Sequence, residues 1–208
     1  LATEEHAELL RLRHLLTFTP PEGWETMGVR VLAGRMGPNA ALATVLVGRG
    51  YLTGAAPGTP AMTPDGIVGQ VLRAGPSTAT VLLLVDPGSR IAIVSQENRV
   101  HGILVGDGPG KPLMLQFVSH NMQVAPGELL VTSGLDDVFP RGIPVARVIS
   151  ATPSDLSPFQ TIQAAPLATL SNLEELLLIT RLPGTVREDS SGQDATFVGP
   201  PAPAIRRQ

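Results

Sequence analysis

Two hydrophobic rhythms divide the chain. Over residues 1–16, LATEEHAELLRLRHLL, Ala2, Leu9, Leu12 and Leu16 recur at heptad-like spacing among Glu and Arg. That pattern predicts the end of a coiled-coil helix over residues 1–18, with Leu9, Leu12 and Leu16 as a self-association seam. The alternative is a short amphipathic helix folded onto the domain that follows. Free helices of this length are marginal, so either reading requires a partner helix, a supporting surface or further helix upstream. The two prolines of TFTPPEGW cannot continue a helix, and residues 19–25 read as linker.

From Met27 the period changes. VRVLAG and ALATVLVGRG flank the turn RMGPN and form a hairpin candidate; IVGQVLRAG, ATVLLLVD, RIAIVSQ, VHGILVGDG and PLMLQFVS follow, each bounded by Gly, Pro, Asp or Asn. ELLVTSG, IPVARVISA, FQTIQAAP and LEELLLIT carry the pattern to Thr180, with room for one helical turn in LATLSNLEE. Short β-branched runs at regular spacing predict a small closed barrel or a sandwich.

Two stretches share a frame. PGTPAMTPDGIVGQVLR, from Pro57, and PGELLVTSGLDDVFPRGIPVARV, from Pro126, both run from Pro-Gly through a hydrophobic pair and Thr to Gly, then Gly-Ile and a Val-ended strand. This predicts two related β units. The tail, residues 183–208, is rich in Pro, Gly and Ser and poor in apolar side chains, so it is expected to be disordered.

Composition narrows the function more than the fold. With 22 Gly, 20 Pro and only 3% aromatics, many short elements are favoured over long helices. A net charge of -3 with no Lys/Arg block leaves no basic face for phosphates, so nucleic acid is not an expected partner. The absence of Cys removes thiolate chemistry, disulfides and the common structural zinc sites, and leans towards an extracytoplasmic location. No apolar run approaches the roughly 20 residues of a membrane span. The chain opens within a helical pattern, without Met or a signal-like segment, and is read as a processed or truncated piece.

Candidate chemistry is thin, and neither a cofactor nor a metal is expected. Ser133 lies in T-S-G-L and not in a nucleophile elbow; a triad of Ser133, His101 and Asp107 or Asp86 is conceivable on paper only. The four His are scattered without ligand spacing. Asp136 and Asp137, between Gly134 and Pro140, have the surroundings of a turn. G-D-G-P-G at 106–110 lacks the Lys-Ser/Thr of a phosphate loop and reads as a hairpin turn.

Taken in order, GIVGQVLRAGPSTATVLLLVDPGSRIAI, VHGILVGDG, PGELLVTSGLDDVFPRGIPVARV, FQTIQAAPLATL and LEELLLIT resemble the extracytoplasmic region of the MreC family of bacterial rod-shape-determining proteins. The departures are small: Ala146 where the family usually has Gly, and Glu128 where Asp is commoner. The resemblance implies two small six-stranded β-barrel-like domains behind a coiled-coil helix, and dimerisation or higher self-assembly through helix and barrel faces. It implies no catalysis. It places the chain on the periplasmic side of the inner membrane, held by an upstream anchor absent here, as a scaffold linking the MreB and MreD apparatus to a class B penicillin-binding protein of elongation. A periplasmic adaptor of an export system is the alternative, and would carry a long helical hairpin within a β domain; a β-barrel hydrolase is a third.

Two expectations concern the strands and the partner. The compact middle hairpins, flanked by the two repeat frames, place residues 66–111 as an inserted β domain and residues 26–65 plus 112–182 as the other. Among the aromatics, Phe117 and Phe159 are expected in the core. In the stretch GLDDVFPRG, Phe139 is the residue expected either to anchor the loop or to meet a partner.

Overall fold

The computed structural model describes residues 18–35, 42–153 and 157–182. Leu9, Leu12 and Leu16 of the expected helix, and the tail from residue 183, lie outside them.

Apolar runs and turn residues resolve into twelve strands: β1 (Trp24–Arg35), β2 (Thr44–Val47), β3 (Pro60–Thr63), β4 (Gly66–Ala74), β5 (Ala79–Leu83), β6 (Arg90–Ser95), β7 (His101–Val105), β8 (Leu113–Gln116), β9 (Leu129–Thr132), β10 (Pro144–Thr152), β11 (Thr161–Pro166) and β12 (Glu175–Arg181). All pairings are antiparallel. They close into two six-stranded barrels, one ordered β1-β12-β3-β4-β5-β2 and the other β10-β11-β8-β7-β6-β9. Closure leaves no sheet edge exposed, and bulges where β4 and β10 meet their neighbours supply the bend it requires.

Inward-facing side chains fill both barrels. Ile67, Leu83, Leu176 and Leu178 are fully buried in the first; Ile91, Ile93, Leu113, Leu115, Leu130 and Ile162 are fully buried in the second. Each such side chain contributes about 1.5–3 kcal/mol. The apolar clusters of the two barrels are continuous, because Leu84 and Val85, on the connection leaving β5, are buried between them. That connection is fixed by Asp86, whose carboxylate is buried and accepts hydrogen bonds from the Ala43 amide and the Gly88 amide, both at 2.7 Å.

The expected domain division falls elsewhere. β4 and β5 belong to the first barrel, so that barrel comprises β1 to β5 plus β12, and β8 to β11 belong to the second with β6 and β7. The reason is pairing across the expected boundary: β4 pairs with β3, and β5 pairs with the distant β2, Val45 opposite Val81, which places β4 and β5 with the strands before them. The repeat frames do not flank an insert. Each is a hairpin of its own barrel, β3–β4 and β9–β10.

Candidate interaction surface

The stretch between β9 and β10 holds Ser133, Asp136, Asp137 and Phe139. The Ser133 hydroxyl donates to the Ala92 carbonyl at 3.2 Å and accepts from the Leu135 amide at 3.3 Å, which makes it a turn cap between two strands. The Asp136 carboxylate caps the Val138 and Phe139 amides. Thr132 completes the frame: its hydroxyl donates to the Pro140 carbonyl at 2.5 Å and accepts from the Ile143 amide at 2.8 Å. The paper triad is dispersed among separate structural partners. His101 opens β7 opposite Val94, Asp86 caps the β5–β6 connection, and Asp107 pairs with Lys111 at 3.4 Å.

Phe139 is only 2% exposed. Its ring therefore anchors the loop to the core, and the expectation of a partner contact through it is overturned. Burial follows from the capped turn, which points Phe139 inward while leaving Leu135, Asp136 and Asp137 exposed. The loop also reaches the other barrel. Arg181, on β12, lies 3.6 Å from the Asp137 carboxylate and 4.9 Å from the centre of the Trp24 ring, so a cation–π contact and an ion pair tie the β9–β10 loop to β1 and β12.

The aromatics expected in the core are outside. Phe117 is 62% exposed and Phe159 is 41% exposed, and their rings meet edge to face at 5.9 Å and 82°. Along β8 the strand alternates normally through Leu115 and Gln116, but Phe117 adopts φ +67°, the left-handed region that side chains rarely occupy. That one dihedral turns the ring out of the barrel and returns Val118 to the core. No residue-type pattern announces it, which is why sequence reasoning missed the pair.

The pair sits on a stiff frame. The Gln160 amide nitrogen donates to the carbonyls of Met122 at 2.6 Å and Ser119 at 2.9 Å, the Gln160 backbone amide donates to Val118 at 2.9 Å, and the His120 ring bonds to the Ser157 carbonyl. Met114, Gln116, Ser157, Gln160 and Thr161 line the cleft beside the rings, and none of them is charged. Met122, 49% exposed, extends the apolar surface. Exposed, uncharged, aromatic and preorganised, this patch has the make-up of an interface centre. A second groove, lined by Ala33, Leu42, Thr44, Leu46, Leu72, Arg73 and Thr80, runs over the outer face of the first barrel.

The fold perturbs the ionisation of the Glu128 carboxylate. Burial, the largest influence, raises its pKa; hydrogen bonds from the Asn98 amide, the Ser95 hydroxyl, the Ala125 amide and the Asn98 side chain together outweigh it and hold the group below the ordinary 4.5. Its role is to pin the residue 96–100 turn to the Pro126–Gly127 turn. The described residues hold no group of His, Asp and Glu placed for a metal ion, and no helix among them is long and apolar enough to cross a membrane.

Two closed barrels tied together by a polar loop, with an exposed aromatic pair on the surface, define a small all-β double-barrel module. The family model for "Rod shape-determining protein MreC, barrel core" matches residues 35–180, and the chain belongs to the MreC family. It is 33% identical over 172 residues to the cell shape-determining protein MreC of Escherichia coli strain K12, covering 83% of this chain and 46% of that protein. A crystal structure of MreC from Pseudomonas aeruginosa matches with a TM-score of 0.68 and 31% identity over 74% of this chain and 98% of the other. A chain from a solved complex between a penicillin-binding protein and MreC of Helicobacter pylori matches with a TM-score of 0.60, covering 74% of this chain and 98% of that one; at 13% identity the likeness is one of fold. The chain spans between 34% and 54% of the length of the curated relatives it matches. The resemblance read from the motifs and the two six-stranded barrels are thus both borne out.

Proposed function

We propose that this chain is the extracytoplasmic barrel region of a non-catalytic cell-shape scaffold that docks onto a class B penicillin-binding protein through Phe117, Phe159 and Met122. The observation that carries the reading is the preorganised aromatic pair: the chain is poor in aromatics, yet two of its rings stand in solvent on a hydrogen-bonded frame, one of them at the expense of an unfavourable backbone dihedral. A relative of the same fold has been captured with a penicillin-binding protein, which supports that class of partner. The family resemblance supports a location on the periplasmic side of the inner membrane and a link, through an upstream membrane segment, to the MreB and MreD apparatus. Leu9, Leu12 and Leu16 form the proposed seam through which copies self-associate, in the manner of coiled-coil a and d positions.

The test uses a variant that keeps the fold. Phe117→Gly suits a left-handed position and relieves about 1 kcal/mol of strain. Binding of the purified chain to an immobilised class B penicillin-binding protein ectodomain is expected to weaken at least about tenfold, as for an interface hot spot, while the melting temperature holds or rises. An unchanged Kd would remove the patch from the interface.

A further inference from the structure

The two barrels have the same wiring when followed strand by strand. In the first, β1 lies between β12 and β2, then β5, β4 and β3 follow and return to β12; in the second, β7 lies between β6 and β8, then β11, β10 and β9 follow and return to β6. This sets β1 to β5 on β7 to β11 in chain order, and β12 on β6. Registers agree to the residue. Ala61 opposite Gly69 answers to Leu130 opposite Ala146, and Val71 opposite Val81 to Val148 opposite Ala164. The bulges on the central strands coincide as well: pairing skips Val68 and Leu72 on β4, and Val145 and Ile149 on β10, while the extra residue Leu32 on β1 has no counterpart on β7.

Local hydrogen bonds repeat in the same way. Gly58 and Gly127 donate to the Val71 and Val148 carbonyls at 2.7 and 2.8 Å, and Val71 and Val148 donate back to Thr59 and Glu128 at 2.8 and 3.0 Å. Thr59 and Glu128 each accept, through a side-chain oxygen, the amide three residues earlier.

β12 meets β3 with Leu177 opposite Met62, as β6 meets β9 with Val94 opposite Val131. The path from Ala79 on β5 to Ser95 on β6 is as long as that from Ile162 on β11 to Leu178 on β12, and both cross from one barrel to the other. The equivalent strands β4 and β10 pack on each other between the barrels, as a pseudo-two-fold axis requires.

We infer that the chain is two tandem copies of one six-stranded unit, residues 24–95 and 101–181, that have exchanged their last strands, so that the double barrel is a single folding unit. Neither copy closes a barrel with its own strands, and the apolar core runs through both. The exchange also equates two positions on the chain. The turn at residues 96–100 joins β6 to β7, while at the matching place in the first barrel β12 and β1 are paired, Arg181 opposite Trp24, without being joined in sequence.

Both consequences are measurable. In the full chain, Ile67→Val in the first barrel should lower the hydrogen-exchange protection of Leu104 and Leu115 in the second by the same factor as that of Val45 and Val81 in the first, about twofold to tenfold. Protection lost in the first barrel alone overturns the inference. In a circular permutant, Leu182 is joined through a short Gly-containing turn to Pro21 and the chain is opened between Gln96 and Glu97. This should give the same double barrel with one melting transition. A permutant that fails to fold, or melts in two steps, overturns it.

Discussion

Single side chains decide whether the β9–β10 loop is a structural or a binding element, and Phe139 is the one that tells. A ring 2% exposed, in a loop whose turns are capped by Ser133, Asp136 and Thr132, is core. Phe139→Ala is therefore expected to destabilise the chain by about 3–5 kcal/mol in urea titrations, through lost burial and the cavity left behind. A loss under 1 kcal/mol would return Phe139 to the surface. Glu128 contributes to acid sensitivity. Its folded pKa lies below the ordinary 4.5, so its contribution is fully present above that value and is lost as pH falls through the lower folded pKa. Glu128→Gln should lower stability at neutral pH by about 1–3 kcal/mol, and melting curves taken from about pH 6 down to pH 3 should show a shallower acid slope than those of the parent.

Among the elements, the longer loop of the second hairpin is what breaks the symmetry between the two repeat frames. The β3–β4 turn needs only Pro64 and Asp65, whereas the β9–β10 turn carries GLDDVFPRG out to Arg181 and Trp24 on the other barrel. Arg181 and Asp137 are both about half exposed, so solvent screens their attraction. Arg181→Ala is expected to lower stability by at most about 1 kcal/mol, and part of the difference should vanish at about 1 M salt, where screening is nearly complete. A larger, salt-independent loss would mean that the loop's packing depends on Arg181 for more than charge.

At the scale of the whole molecule, the proposed work divides in two: the barrels present the aromatic patch, and the coiled-coil seam proposed at Leu9, Leu12 and Leu16 joins copies. Placing a carboxylate in a dry coiled-coil seam is unfavourable, so Leu9→Asp with Leu16→Asp is expected to weaken self-association while the barrels keep their melting temperature. Sedimentation velocity over a range of concentrations reads the difference directly. An unchanged distribution of masses would locate self-association on the barrels instead.

The sequence by itself determined the strands, the family motifs and the repeat frame, because alternation, turn residues and Pro-Gly punctuation are local properties that a chain carries wherever it folds. It also marked Asp136 and Asp137 as turn residues, since their neighbours already had turn chemistry. Which barrel each strand joins was decided by the tertiary structure, through pairings such as Val45 with Val81 that link distant segments and leave no mark in either one. The same holds for the aromatics. Phe139 and Phe117 are chemically identical and both lie beside strands, but a capped loop turns one ring into the core and a left-handed dihedral turns the other into solvent. Direction is a property of the folded backbone, and residue type alone does not encode it.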